Sequence, residues 1–194
     1  MLSIHLRGHP WEMEKMKKYV ASMPNAEIIG TALKPYDTAL QRYQFEAVLE
    51  TYGLTQIDPD VWYPQQLTLD IQKAIKALPD GSTALISVGM KIIEHAIFPP
   101  MESVSQAVQA FAASYPMNFR NHAPTDVVKA ELVTDHHIRV INCSPHSDEM
   151  IYGYVYGMAR RFCPPNFSFK VRFHDMAAVD QDGDTVIDLL LDEK

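Results

Sequence analysis

The chain has 194 residues, of which 47% are hydrophobic and 21% are charged, and its net charge is −7. This composition is typical of one globular domain, and the acidic balance argues against DNA or RNA as the main partner. The chain has only two cysteines and no apolar run near the roughly 20 residues that a membrane span needs. With no recognisable targeting segment at its start, the sequence predicts a cytoplasmic protein with reduced thiols.

The first 120 residues predict a mainly helical lobe. A β-like segment at 3–6 precedes a helix predicted from Pro10 to about Ser22, whose basic run at 15–18 we interpret as solvent-facing, and 27–33 is ambiguous. Further helices are predicted over 36–52, 64–78, 82–98 and 102–115. In each of these, apolar residues recur every three or four positions, and proline or glycine separates one segment from the next.

The pattern changes after residue 120. Strands are predicted at 127–133 and 136–142, joined by a tight turn, and a helix follows at 148–162. Two more strands are predicted at 167–173 and 185–191, because their residues alternate and are rich in branched and aromatic side chains. Segregated helices and strands indicate an α+β fold. We therefore predict a single domain with a helical lobe (1–120) and a four-stranded antiparallel unit (121–194).

The segment DEMIYGYVYGMARRF contains Gly153 and Gly157 within a predicted helix. Each glycine costs about 1 kcal/mol relative to alanine in a helix interior, which close packing of the bare backbone would offset. The strand, short turn and helix with Gly153-x-x-x-Gly157-x-Ala159 and Phe162, followed by a hairpin, resemble a known ligand-binding fold. H-NOX sensor domains, vinyl-reductase-type small-molecule-binding domains and TRAPP subunits share that fold.

The resemblance covers 82–191 in element order, and it reaches residue level only in the strand–turn–helix segment. It implies that the glycine-bearing helix lies flat against the antiparallel sheet and approaches the strands closely. Close local packing without any ligand is the alternative explanation of Gly153 and Gly157.

The resemblance also allows a test for heme. In H-NOX domains a histidine about two turns before a Tyr-Pro binds the iron, and a Tyr-x-Ser-x-Arg motif holds the propionates. This chain has Tyr115-Pro116, but the histidine position falls near Val108. The motif positions fall on Val140, Asn142 and Ser144, and the arginine is missing. Heme held in that manner is therefore disfavoured.

Heme with non-standard ligation stays open, with His95 or His122 as an axial ligand. The vinyl-reductase-type branch fits better by elimination, and a TRAPP-like scaffold is the third branch.

The resemblance thus implies a non-enzymatic small-molecule-binding or sensory domain that takes an apolar or aromatic ligand between its lobes. It would signal through a homodimer or a partner protein. A structural subunit without ligand is the alternative, and an enzyme is the weakest hypothesis because no acid/base pair is clustered. The expected ligand contacts are Phe111, Tyr115, Asn142, Ser144, Tyr154 and Met158.

Cysteine and histidine residues give a weak metal hypothesis. Cys143-x-x-His146 has a spacing that zinc sites use, and Cys143 could instead be a nucleophile with His146 as its base. Neighbouring His136 and His137 on a strand would point to opposite faces, so both cannot easily bind one ion.

The segment DQDGDTVID places Asp180, Asp182 and Asp184 at alternate positions, as in a calcium-binding loop. In such loops glycine is sixth and glutamate twelfth, whereas here Gly183 is fourth and Leu191 is twelfth. A hairpin turn built on Asp-Gly explains the segment equally well.

Overall fold

The computed structural model describes residues 16–34, 36, 42–54 and 56–194, with the backbone alone for 42–46. Within these residues, the N-terminal half contains three short strands, β1 (Glu27–Ile29), β2 (Trp62–Pro64) and β3 (Phe119–Arg120), which form an antiparallel sheet in the order β2-β1-β3. Its helices are α1 (Gly30–Leu33), α2 (Arg42–Thr51), α3 (Gln65–Lys76), α4 (Gly81–His95) and α5 (Val104–Ser114). A 3₁₀ helix (Tyr115–Asn118) connects α5 to β3.

The C-terminal half has β4 (Val128–Thr134), β5 (His137–Asn142), α6 (Asp148–Phe162), β6 (Phe167–Phe173) and β7 (Thr185–Glu193). Its strands form an antiparallel sheet in the order β4-β5-β7-β6. The inner face of this sheet is fully buried, with Ile138 opposite Leu189 and Val140 opposite Ile187. These elements confirm the α+β prediction and the four-stranded antiparallel sheet.

Helix α6 has the predicted bounds. It begins where the Ser147 side chain caps the free N–H of Met150, and it ends before Cys163 and two prolines. One face lies on the sheet through two aromatic side chains: Tyr152 contacts Phe173, and Tyr156 contacts Phe169.

The glycine face of α6 meets α4, not the sheet. A Cβ atom added to Gly153 would lie 2.3 Å from the carbonyl oxygen of Ile86, and one added to Gly89 would lie 2.2 Å from that of Met150. At Gly157 the nearest group would be the Ile93 side chain, at 3.0 Å. The expectation that these glycines let the helix approach the strands is therefore wrong. Their bare backbone lets two helices touch.

The start of the described chain also differs from the prediction. Residues 16–22 are turn and coil, not helix, and the rest of the helix predicted from Pro10, like the segment at 3–6, lies outside the described residues. Lys18 is only 7% exposed and its ammonium group lies 2.7 Å from Asp148 Oδ1, so this part of the basic run does not face solvent. No helix in the described part of the chain is long and apolar enough to cross a membrane.

Candidate ligand-binding cavity

A cavity of about 840 Å³ lies between the N-terminal half and the first turns of α6. Residues of β1, α1, α3, α4 and α5 line one side of the cavity, and residues at the start of α6 line the other. The deep lining residues include Ile28, Tyr36, Thr68, Gln72, Ile93, Phe111, Tyr115, Phe119, His146, Met150 and Tyr154.

One wall of the cavity is a continuous set of aromatic rings. The Phe111 ring lies 5.0 Å from that of Tyr154 and 5.9 Å from that of Tyr115, and the Tyr115 ring lies 5.0 Å from that of Phe119. Aromatic pairs at these tilted, edge-on distances add to the stability gained by burial. The wall is therefore apolar and firmly packed.

Burial keeps the tyrosines of this wall uncharged. It raises the pKa of Tyr115 and of Tyr154 well above the ordinary value, with smaller contributions from neighbouring groups. The Tyr115 hydroxyl donates to Ser144 Oγ at 3.2 Å, and the Tyr36 hydroxyl donates to Met150 Sδ at 3.2 Å. These hydroxyl groups are neutral hydrogen-bonding groups at any physiological pH.

The inner end of the cavity is polar, and Gln72 determines which ring nitrogen of His146 carries the proton there. The backbone N–H of Ser147 donates to Gln72 Oε1 at 2.9 Å, which turns Gln72 Nε2 towards His146 Nδ1 at 2.8 Å. An amide nitrogen can only donate, so Nδ1 accepts, and the hydrogen-bond pattern assigns the ring proton to Nε2. Burial, assisted by nearby Lys18, lowers the pKa of His146 to about 3. The ring is therefore neutral at pH 7.

The mouth of the cavity carries exposed side chains. Ile97 and Met117 are 99% and 79% exposed, respectively, and both border the cavity together with Lys34 and His95. The His95 Nδ1–H donates to the carbonyl of Lys91 at 2.9 Å, which leaves its Nε2 with a lone pair. Apolar groups exposed to this extent at a cavity entrance are typical of a binding site.

The structure divides the residues expected to contact a ligand into two groups. Phe111, Tyr115 and Tyr154 line the cavity. Met158 is fully buried in the core and does not line it. Asn142 and Ser144 were expected at the cavity mouth, but both are fully buried and bond to each other, with Ser144 Oγ 2.6 Å from Asn142 Oδ1.

Asn142 belongs to a buried network around Asp148. The Asp148 carboxylate accepts from Lys18 at 2.7 Å, from Asn142 Nδ2 at 2.8 Å, from Thr185 Oγ1 at 2.9 Å and from the backbone N–H of Asp180 at 3.0 Å. A buried carboxylate is stable only with this number of donors. The network joins the N-terminal segment, β5, β7 and the start of α6, so its role is structural.

The weak metal and thiol hypotheses find no support in the geometry. Among the described residues, no three His, Cys, Asp or Glu side chains are grouped so that they could hold a metal ion. Burial, together with Asp184, raises the pKa of the Cys143 thiol to about 11. A nucleophilic cysteine needs the opposite shift, and His146 Nδ1 is bonded to Gln72 Nε2 at 2.8 Å.

The aspartates of the proposed calcium loop face protein groups. The Asp180 carboxylate is paired with Lys76 at 2.7 Å and accepts from the Tyr19 hydroxyl at 3.1 Å. Asp182 accepts from the backbone N–H of Lys18 at 3.1 Å, and Gly183 has φ of 112°. These contacts hold the connection between β6 and β7, residues 174–184, on the N-terminal segment. The connection contains a 3₁₀ helix (Met176–Ala178), so the prediction of a hairpin turn built on Asp-Gly is wrong.

His136 and His137 also diverge, as the alternation of side chains predicts. The His136 ring contacts Phe167, whereas His137 Nε2 lies 2.8 Å from Asp188 Oδ1 on the outer face of the sheet. His174 binds the other Asp188 oxygen at 2.8 Å. Burial alone would raise the pKa of Asp188, but bonds from His174, His137 and Arg139 lower it to about 2.

The cavity residues contributed by the first 100 positions were not predicted from the sequence. Ile28, Tyr36, Thr68 and Gln72 approach one another only in the folded chain. One signal was present: the buried face of α3 contains Gln65, Thr68 and Gln72 beside Leu69 and Ile75. Polar residues within an apolar stripe indicate a buried hydrogen-bonding site.

Solved structures of other proteins have the same arrangement of helices and strands. An H-NOX protein from S. oneidensis in the Fe(II)NO ligation state superposes with a TM-score of 0.61 at 9% identity, covering 86% of this chain and 100% of that one. The H-NOX from Shewanella woodyi in the Fe(II)CO ligation state gives 0.54 at 14% identity, covering 84% and 94%. The chain has an H-NOX-like fold.

The H-NOX-like fold confirms one branch of the resemblance noted in the sequence. No protein-family model and no curated protein matches this sequence. The similarity therefore lies in the arrangement of the elements.

Proposed function

We propose that this chain is a non-enzymatic, cytoplasmic sensory or small-molecule-binding domain whose ligand is apolar or aromatic and lies in the cavity between its two halves. The observation that carries the proposal is the cavity itself: about 840 Å³, walled by Phe111, Tyr115, Phe119 and Tyr154. Small-molecule sites are concave, mostly apolar and roughly 300–1,000 Å³ in volume. The solved structures with this fold are described as H-NOX proteins in defined ligation states, which also supports a ligand.

Binding would be driven by burial of apolar area, at about 25 cal/mol per Å². The ligand would touch α4, α5 and α6 at once, since Ile93, Phe111 and Tyr154 all border the cavity. A ligand that contacts several elements can change how they sit against one another. The signal would then pass to a partner protein or to a second copy of the chain.

A pair of alanines on α5 tests the proposal. Ala110 borders the cavity, whereas Ala113, one turn further on, is exposed and does not. The probe is N-phenyl-1-naphthylamine, a neutral dye that fluoresces in apolar surroundings. Wild type and Ala113→Phe should bind it and be thermally stabilised by it, and Ala110→Phe should bind at least tenfold more weakly because the ring occupies the cavity.

Equal dye binding by the two variants would show that the dye lies elsewhere. The absence of binding in all three proteins would favour the structural subunit, in which the cavity has no ligand.

Heme is the second candidate, and the residues do not fit heme held in the family's usual manner. Val108, at the position of the iron-binding histidine, is fully buried and does not border the cavity. Asn142 and Ser144, at two of the propionate-binding positions, are committed to the buried network. One observation favours heme with different ligation: His95 borders the cavity with its Nδ1–H bonded to a backbone carbonyl, which is the arrangement that leaves Nε2 free to bind a metal.

Absorption spectra after heme reconstitution decide this point. His122 makes the same kind of bond, with Nδ1 3.0 Å from the carbonyl of Ala123, but does not border the cavity. A Soret band that is lost in His95→Ala and kept in His122→Ala would support heme. A spectrum of free heme with the wild-type protein would exclude it.

A further inference from the structure

The hydroxyl group of Thr68 is buried without a hydrogen-bond partner. Thr68 is 1% exposed, it borders the cavity, and its Oγ1 bonds to no described residue. A hydroxyl in this position could have bonded to the carbonyl one turn back in α3, as buried threonines often do. A buried polar group without a partner costs free energy, so its presence at a cavity wall indicates a ligand atom that bonds to it.

His146 supplies a second unpaired donor at the cavity wall. Its proton lies on Nε2, and Gln65 Nε2 lies 3.5 Å from that nitrogen. That nitrogen donates to Asp126 Oδ2 at 3.0 Å and cannot accept. The His146 Nε2–H therefore has no acceptor among the described residues, although the ring borders the cavity.

The two donors belong to the same end of the cavity. Thr68 and Gln72 are four residues apart on α3, so their side chains are neighbours on one face of the helix. Gln72 in turn contacts the His146 ring at 2.8 Å. The opposite end carries the exposed side chains of Lys34, His95 and Ile97.

We infer that the ligand carries an uncharged carbonyl-type oxygen that accepts hydrogen bonds from Thr68 Oγ1 and His146 Nε2 at the inner end of the cavity, with its apolar part against the aromatic wall; this inference rests on the proposed function. A carbonyl oxygen has two lone pairs and can accept both bonds. A carboxylate does not fit there, because the ammonium group of Lys34, which borders the cavity, is exposed at its mouth. Buried charge needs a buried partner.

Two molecules of the same shape test the inference. Methyl naphthyl ketone and isopropenylnaphthalene differ only in C=O against C=CH₂. Each neutral hydrogen bond contributes a factor of roughly 2 to 13 in affinity, so we expect the wild-type protein to bind the ketone about tenfold more tightly. In Thr68→Val this preference should fall to about threefold, with binding of the hydrocarbon maintained.

Control variants separate the hydroxyl from general effects. Thr68→Ser keeps a hydroxyl and should keep most of the preference for the ketone. Thr83→Val alters an exposed threonine of α4 that does not border the cavity, and should leave it unchanged. The infrared C=O stretch of the bound ketone gives an independent measure, because hydrogen bonding lowers its frequency. It should be lowered in wild type and rise in Thr68→Val.

The outcomes separate this inference from the proposed function. Equal binding of ketone and hydrocarbon by the wild-type protein, or a ketone preference unaffected by Thr68→Val, would overturn the inference and leave the apolar binding site in place. Binding of neither molecule would overturn both.

Discussion

Replacing Thr68 by valine should stabilise the ligand-free protein. Valine has the same shape as threonine without the hydroxyl, and that hydroxyl is buried with no described partner. An unsatisfied buried polar group costs about 1–3 kcal/mol. We expect the free energy of unfolding to rise by about 1 kcal/mol, which corresponds to about 2–4 °C in Tm for a chain of this size.

Thr185 is the matched control. It is equally buried, but its hydroxyl donates to the Asp148 carboxylate at 2.9 Å. Hydrogen bonds to charged groups contribute about 1.5–3 kcal/mol, so Thr185→Val should lower the free energy of unfolding by about 2 kcal/mol. Urea denaturation with unchanged m-values measures both. If Thr68→Val destabilised the protein as much as Thr185→Val, the Thr68 hydroxyl would have a structural partner. The inference that this hydroxyl is available to a ligand would then be wrong.

Three further predictions concern the protonation of His146, the helix contact at the glycines and the ion pair of Lys18. Burial lowers the pKa of His146 to about 3 in the folded protein, whereas the ordinary value of about 6.5 applies to the unfolded chain. Between these pH values the unfolded chain binds the extra proton, so the free energy of unfolding should fall by about 2 kcal/mol from pH 7 to pH 5. His146→Gln should remove that part of the pH dependence, as measured by urea denaturation at each pH. Gly153→Ala should lower the free energy of unfolding by about 2–3 kcal/mol, because its Cβ would lie 2.3 Å from the carbonyl oxygen of Ile86. Gly157→Ala should cost less than about 1 kcal/mol, because its Cβ would lie 3.0 Å from Ile93 Cβ and 3.4 Å from Met90 Cα, and the helix-propensity gain of about 1 kcal/mol offsets part of that strain. Equal losses would show that the α4–α6 contact is looser than described. Lys18→Met should lower the free energy of unfolding by about 3 kcal/mol, because it leaves the buried Asp148 carboxylate without its cation. Lys73→Met, on the exposed face of α3, should change the Tm by less than about 1 °C. A similar Tm for both variants would refute the role of Lys18.

The long periodic elements were predictable because their own residues specify them. Helix α6 starts at a serine cap and ends before two prolines, and its bounds agree with the prediction. The strands β2 and β3 were not predicted and the segment of β1 was left ambiguous, since two or three residues are too few to show a period. They are strands because distant segments pair: Ile28 lies opposite both Tyr63 and Phe119.

The failures at the N-terminal segment and at the glycines have one physical origin. A basic run indicates that a segment can face solvent, and a pair of glycines indicates that a helix can be packed closely. Neither pattern identifies the residues that the segment contacts in the folded protein. Lys18 is buried because Asp148, 130 positions later, lies beside it. Gly153 faces α4 because that helix carries its own glycine, Gly89, at the crossing point. Sequence patterns predict the faces of an element, and the tertiary fold decides their partners.

The same was true of the cavity. The aromatic positions Phe111, Tyr115 and Tyr154 were expected near a ligand because they lie on helices of the resembling fold, and all three border the cavity. The polar inner end was not expected, because Thr68, Gln72 and His146 become neighbours only when α3 packs against the start of α6.

The contact between α4 and α6 has a mechanical consequence. Where two backbones touch with no side chain between them, there is no rotamer change that can absorb a push from one helix to the other. Ile92 and Ile93 of α4 border the cavity one turn beyond Gly89, so a molecule that displaced them would also displace α6 and the strand β6, which Tyr152 and Tyr156 contact. The contact at Gly89 and Gly153 thus couples the cavity mechanically to the four-stranded sheet.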